Sequence, residues 1–352
     1  MMIGCKAVSS VLVTVFLIAL SAAIVVAAAA VWFSMAQTMS KTYEVSLESS
    51  ASRTKYFVLV HGEVGNIGTA PFESLTVRFS AETSCYRFNG ISSYIRVDNV
   101  PVNTASGTYN TVAFLMYWTG TLNQMPFGWN TGYDLYISPQ DNFGFSTDGG
   151  DVYGISDAGN VLANKWVFVV AVFPNGYPSY EPALYLNGVK QTLQLLQGTR
   201  NTAYCSTTLY VSGWDSGNYR FGGHVANLYV YNRMLSDAEA VQLTNAVLYR
   251  NSTIPSDGLV LWLDESTVSA TAWKDRTVYG HDGILYDVVV ETVSLPLNSL
   301  TYGRLSSGES FEYSRTLYNV DWIVSGNSLT VEAEAWAEGK IVCHRIQKVI
   351  VG

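Results

Sequence analysis

A chain of 352 residues with 14% charged side chains, 23 tyrosines and a net charge of −8 has the length of about two globular domains. The acidic balance and the lack of basic runs argue against nucleic acid as a partner. Few charges beside many Tyr, Thr, Ser, Gly and Asn suit a β-rich, externally exposed surface.

The chain opens on an apolar run in which Lys6 is the only charge before Lys41. A helix rises about 1.5 Å per residue, so about 20 apolar residues cross a bilayer core. Residues 7–40 therefore read as one long N-terminal hydrophobic α-helix. A plain membrane anchor is one use for it, and a secretory signal cut within Ala27, Ala28, Ala29 and Ala30 is another. A third comes from the leader ending at Lys6, followed by Ala7-Val8-Ser9 and then the apolar run, which resembles the class III signal of archaeal type IV pilins. The resemblance implies a leader at 1–6, cleavage between Lys6 and Ala7, and a membrane-inserted precursor. The mature helix would then pack with other copies in an extracellular filament. Ser10, Thr14 and Ser21 fall near one helical face, and with Ala27–Ala30 they suit close helix packing.

Cys5 lies in that leader, which leaves Cys85, Cys205 and Cys343. One disulfide and one buried thiol are expected, with Cys85 in the pair and its partner open. Asn251-Ser252-Thr253 is a glycosylation acceptor triplet.

Beyond the helix, the run Phe57-Val58-Leu59-Val60 reads as a strand, and Leu75, Val77 and Phe79 alternate with Thr76, Arg78 and Ser80. The same period returns late in the chain. Phe311, Tyr313, Arg315 and Leu317 alternate after a turn at 308–310, and Leu329, Val331, Ala333 and Ala335 alternate before a final run at 341–351. The phrases NIGTAP and LSSGESFEYSRTL resemble Ig-like β-sandwiches of archaeal surface proteins. Residues 55–84 and 295–352 would then form one discontinuous Ig-like β-sandwich, with a second domain inserted at 85–290.

The insert has its own signature. Leu184-Tyr185-Leu186-Asn187-Gly188-Val189 reads as a hairpin, Asn-Gly supplying positive φ angles. Ser236 and Glu239 form a capping box at a helix start, and Trp166 to Phe173 is a strand buried on both faces. YRFNGISSYIRVDN, NKWVFVVAVF, ALYLNGVKQT and YVSGWDSGNYRFGGHVANLYVYNRMLSDAEAVQL together resemble a laminin-G-like, concanavalin A-like jelly roll. Residues 256–287 resemble the opening strands of such a domain placed after its closing one, and are expected to add a strand pair. The fold class expected is mainly β: a long N-terminal hydrophobic helix, then an Ig-like sandwich interrupted by a jelly roll.

Catalytic chemistry is thin. Glycoside hydrolysis needs two carboxylates flanking the bond. The one alternating acid pair, Glu332 and Glu334, falls in a sandwich strand and reads as a solvated face. No nucleophile elbow, phosphate loop or zinc spacing occurs, and His61, His224, His281 and His344 are scattered. No enzyme and no cofactor are expected. The jelly-roll resemblance implies binding of carbohydrate or protein, sometimes with Ca²⁺. Trp129, Tyr133, Asp134 and Tyr136 form one group of rings and an acid suited to a sugar, and Trp214, Asp215 and Tyr219 form a second. Asp141, Asp148 and Asp151 offer hard oxygen ligands for calcium at spacings unlike an EF-hand loop. Two functions stand side by side. One is a pilus-like filament subunit at the cell surface with an outward, adhesive jelly roll; the other is a membrane-anchored or secreted carbohydrate-binding surface protein that does not polymerise.

Overall fold

The computed structural model describes residues 25–31, 41–54, 57–214, 217–318, 323 and 327–352. Strand Ser74–Asn89 is 16 residues long and organises the rest. Its apolar side chains alternate at Leu75, Val77, Phe79 and Ala81, which face one core, while Tyr86 and Phe88 face another. Successive side chains on a strand point to opposite faces. The burial phase therefore changes near Cys85, and one strand serves two cores on opposite faces.

Three sheets are built around it. A three-stranded sheet holds Val45–Arg53, Phe57–Asn66 and Ser310–Tyr318. A ten-stranded sheet runs in the order Val189–Lys190, Ala183–Leu186, Trp166–Pro174, Tyr109–Trp118, Gly222–Tyr231, Ser74–Asn89, Ser328–Ala337 and Lys340–Ile350. Within it Leu259–Leu263 also pairs with Gly222–Tyr231, and Val289–Tyr302 lies along Ser74–Asn89. An eight-stranded sheet runs Gln194–Gln197, Val152–Ser156, Asn142–Ser146, Tyr133–Ile137, Gln124–Trp129, Leu209–Val211, Tyr94–Val97 and Ile284–Tyr286.

The ten- and eight-stranded sheets pack face to face over Phe114, Phe127, Trp129, Phe173 and Trp273. The three-stranded sheet packs on the far end of the ten-stranded one over Val58, Val60, Phe79, Leu317 and Val331. Helix Asp237–Leu248 covers the outer face of the ten-stranded sheet, placing Ala240, Leu243 and Val247 against Phe168 and Tyr229. Its start is the expected capping box, in which Ser236 accepts from the Glu239 N–H and Glu239 accepts from the Ser236 N–H. Asn187 and Gly188 both have positive φ, as the hairpin requires.

Several expectations are corrected. The protein is mainly β, but the long N-terminal hydrophobic helix is not found. Among the described residues no helix is long and apolar enough to cross a membrane. The helical residues 25–31 are exposed. Ala27, Ala28, Ala29 and Ala30 lie there; Lys6, Ala7, Ser10, Thr14 and Ser21 lie outside the described residues. The filament reading thus finds no support in the structure. The disulfide is also absent among the described residues: Cys85, Cys205 and Cys343 are free. Cys85 sits under the outer helix and Cys205 sits between the two large sheets, so a sheet layer separates them. Residues 256–287 do not add a strand pair. Leu259–Leu263 joins one large sheet and Ile284–Tyr286 the other, with Trp273 filling the space between and meeting Tyr86 edge-on at 5.2 Å. Strand Val45–Arg53 was not anticipated, because Ser and Glu interrupt its alternation.

A buried ion pair fastens the end of the helix. Arg250 donates to Glu265, whose other oxygen accepts from Asn227 Nδ2 at 2.9 Å, and both charged side chains are almost wholly enclosed. The Arg250 carbonyl accepts the Tyr318 N–H at 2.6 Å, which ties this point to the three-stranded sheet. Removing one member of an enclosed pair strands the other charge. Arg250→Met is expected to lower stability by about 3–5 kcal/mol in chemical denaturation, and an unchanged midpoint would contradict the placement. Burial pushes the Cys85 thiol up to about 12 and the enclosed Cys205 thiol higher still. Alkylation of the native protein followed by mass spectrometry should therefore label Cys343 and spare Cys85 and Cys205 until unfolding.

Candidate functional site

The loops at one end of the two large sheets enclose a narrow cleft of about 20 Å³. The turn 147–151 joins Asn142–Ser146 to Val152–Ser156 on one sheet, and the loop 175–182 joins Trp166–Pro174 to Ala183–Leu186 on the other. Residues 198–203 close the third side. Gly176 and Ala203 exchange two backbone hydrogen bonds, at 2.8 and 3.1 Å, locking the second loop to the third. Gly176 has φ +112°, and a Cβ there would stand 2.4 Å from Ser106 Oγ, so this junction needs glycine.

The wall is polar and fixed. Asp151 is buried and accepts from both the N–H and the hydroxyl of Thr147, whose hydroxyl oxygen in turn accepts the Asn201 N–H at 3.2 Å. Arg200 lies 4.2 Å over the Tyr153 ring, donates to the Tyr180 carbonyl at 2.9 Å and pairs with Glu181 at 3.4 Å. Tyr153 donates to Glu181 at 2.9 Å, and burial followed by that carboxylate raises its pKa. Tyr133 forms the floor, and burial holds its hydroxyl firmly protonated. The rim is aromatic: Tyr177 is 63% exposed, with Tyr180 beside it. A half-wet ring beside fixed donors and acceptors, with the guanidinium already paired, suits a neutral polyhydroxylated ligand.

The residues singled out from the sequence are distributed otherwise. Trp129 is wholly buried, edge-on to Phe127 at 5.1 Å and to Phe173 at 5.9 Å, and offers no face to a ligand. Tyr133 packs edge-on to Phe173 at 4.9 Å, and only it and Asp151 among the proposed residues line the cleft. Asp134 and Tyr136 point to the opposite, outer face, as strand alternation demands. There Trp214 and Tyr219 lie beside Tyr136. Trp214 packs against Met125, Tyr136 and Val152, and Tyr219 meets Tyr136 edge-on at 5.6 Å. The structure thus gathers Tyr136, Trp214 and Tyr219 into one cluster, while Asp215 lies outside the described residues. Asn251 is exposed just beyond helix Asp237–Leu248.

The calcium candidates do not converge. Asp141 accepts the Gly159 N–H at 2.8 Å and Asp151 caps the turn at Thr147, so these two acids serve separate turns. Among the described residues, Asp141, Asp148 and Asp151 do not bring three ligand atoms within reach of one ion. The residues the sequence reading missed are Tyr153, Tyr177, Tyr180, Arg200 and Asn201. Their one local signal is the loop Tyr177-Pro178-Ser179-Tyr180-Glu181-Pro182, rings and prolines between two apolar strands.

Residues 89–241 match the sequence model of the family Laminin_G_3, described as the concanavalin A-like lectin/glucanases superfamily. Residues 89–241 are thus similar to a concanavalin A-like jelly roll. The jelly roll supplies both the cleft and the outer-face cluster. No curated protein matches the chain. Among solved structures, a putative carbohydrate-binding protein from Bacteroides ovatus is similar at TM-score 0.45 and 17% identity, over 68% of this chain and 70% of that one. A heptameric SAP-like pentraxin from Limulus polyphemus is similar at TM-score 0.35 and 11% identity, over 61% of this chain and 95% of that one. Domain 4 of an extracellular arabinanase from Geobacillus stearothermophilus, in complex with arabinotriose, is similar at 0.31 and 13%, over 56% and 87%.

Because Trp129 belongs to the jelly-roll core, Trp129→Ala should cost about 3–5 kcal/mol of stability by opening a cavity. Thermal unfolding checks this, and a fully stable variant would contradict the placement.

Proposed function

We propose that the jelly roll binds carbohydrate in the cleft between residues 147–151, 175–182 and 198–203, and that it binds without cleaving. The observation that carries this reading is the pairing of an exposed Tyr177 with a buried, hydrogen-bonded Asp151 in one cleft. The ring stacks on the apolar face of a pyranose, and Asp151, Asn201 and the Tyr180 hydroxyl exchange hydrogen bonds with its hydroxyls. The matched family, which includes lectins, supports the same ligand class. Hydrolysis would need two carboxyl groups free to act across a glycosidic bond. Here Asp151 is the one acid among the residues lining the cleft, and the nearby Glu181 is held by Arg200 and Tyr153.

A glycan-binding protein of this kind works where glycans are displayed, and we place it at the cell surface or outside the cell. The exposed Asn251 triplet is consistent with that location. We also keep, as a proposal, the division into a sandwich of 55–84 plus 295–352 and an inserted jelly roll of 85–290.

A glycan array followed by calorimetry on a bound oligosaccharide tests the function. Tyr177→Ala should weaken binding about fivefold or more, the loss of roughly 1 kcal/mol of stacking, with unfolding unchanged. Trp214→Ala should leave the affinity as it is. Absence of saturable glycan binding, or loss on Trp214→Ala alone, would overturn the assignment.

A further inference from the structure

The polar face at the sandwich end of the ten-stranded sheet carries a second set of converging side chains. Glu332 and Glu334 are two apart on strand Ser328–Ala337 and so share a face. The neighbouring strand Lys340–Ile350 sets His344 directly opposite Glu334, and its Nε2 contacts a Glu332 oxygen. One ligand atom from each of the three lies within 4.8 Å of the others, the one such set among the described residues. On the other flank, strand Ser74–Asn89 places Arg78 opposite Glu332, and its guanidinium pairs with Glu334.

We propose that Glu332, Glu334 and His344 form a site for a divalent transition-metal ion of the zinc class. One imidazole and two carboxylates are a donor set that Zn²⁺ accepts, at about 2.0–2.2 Å per bond. Two donors at that distance around a tetrahedral ion stand roughly 3.4 Å apart, so His344 and Glu332 need to open slightly and the wider pairs to close, each by about an ångström or a little more. Imidazole among the donors favours such ions over Ca²⁺ and Mg²⁺, which take oxygen. The bound ion would join the last two strands side chain to side chain. Arg78 competes for the same carboxylate, so the site is in balance between a guanidinium and a metal. Three protein ligands also leave a coordination position open to water or an outside donor.

Calorimetry with ZnCl₂ on the full-length chain at neutral pH tests this. The expected result is one saturable site, weakened about tenfold or more in His344→Ala and in Glu332→Gln, and tightened in Arg78→Gln. Zinc should raise the unfolding temperature of the wild type and not of His344→Ala. These side chains are partly exposed, so equal unfolding temperatures without zinc will show that the variants are folded. No saturable uptake by the wild type, or uptake that is the same in His344→Ala and Glu332→Gln, overturns the proposal.

Discussion

The pairing of Ser74–Asn89 with Val289–Tyr302 is the constraint on which the structure depends. Thirteen positions of the first strand find a partner on the second, from Leu75 opposite Tyr302 to Arg87 opposite Val289. Backbone donors and acceptors taken out of water must be matched, and this ladder matches them along both cores, interrupted by one bulge between Pro296 and Asn298. Ser328–Ala337 completes the other edge of the first strand at its beginning, and Gly222–Tyr231 completes it at its end. The ten-stranded sheet therefore borders both the core under the three-stranded sheet and the core under the eight-stranded one. The change of burial phase at Cys85 and Tyr86 lets one backbone serve both.

That arrangement explains why the candidate cleft is built from loops. The inner faces of the two large sheets are consumed by their common core, where Trp129 and Phe173 meet. The outer face of the eight-stranded sheet is partly covered by its own loop, with Arg220 lying 4.2 Å over Tyr94 and Tyr94 stacked on Tyr286 at 4.3 Å. One concave place is the end of the sheets, where turns from both layers project. The Gly176–Ala203 bridge and the Arg200 contacts hold those turns in place, so the cleft is formed before any ligand arrives.

Local signals were legible in the sequence and long-range ones were not. Asn187-Gly188, the Ser236–Glu239 box and the apolar run from Trp166 depend on neighbours a few residues away, and each appears as read. The jelly-roll phrases were equally legible, since they lie across the region that matches the family. Trp129 and Tyr133 looked like a ligand platform because they sit beside an acid in a Gly-containing segment. Strand alternation instead turns them inward and Asp134 outward, a consequence of which sheet the strand joins. Tyr177 and Asn201 are 24 positions apart in sequence, and only the meeting of two sheets brings them to one cleft. The long apolar start reads as a spanning helix from composition, but no helix among the described residues is long and apolar enough to cross a membrane. Likewise His344 looked isolated until the register of the last two strands set it beside Glu332.

Amide hydrogen exchange, with and without a bound oligosaccharide, tests the account most directly. Protection confined to residues 147–151, 175–182 and 198–203 is the result it predicts. Protection of residues 209–220, with those three loops unchanged, would place the ligand on the outer face of the eight-stranded sheet and contradict it.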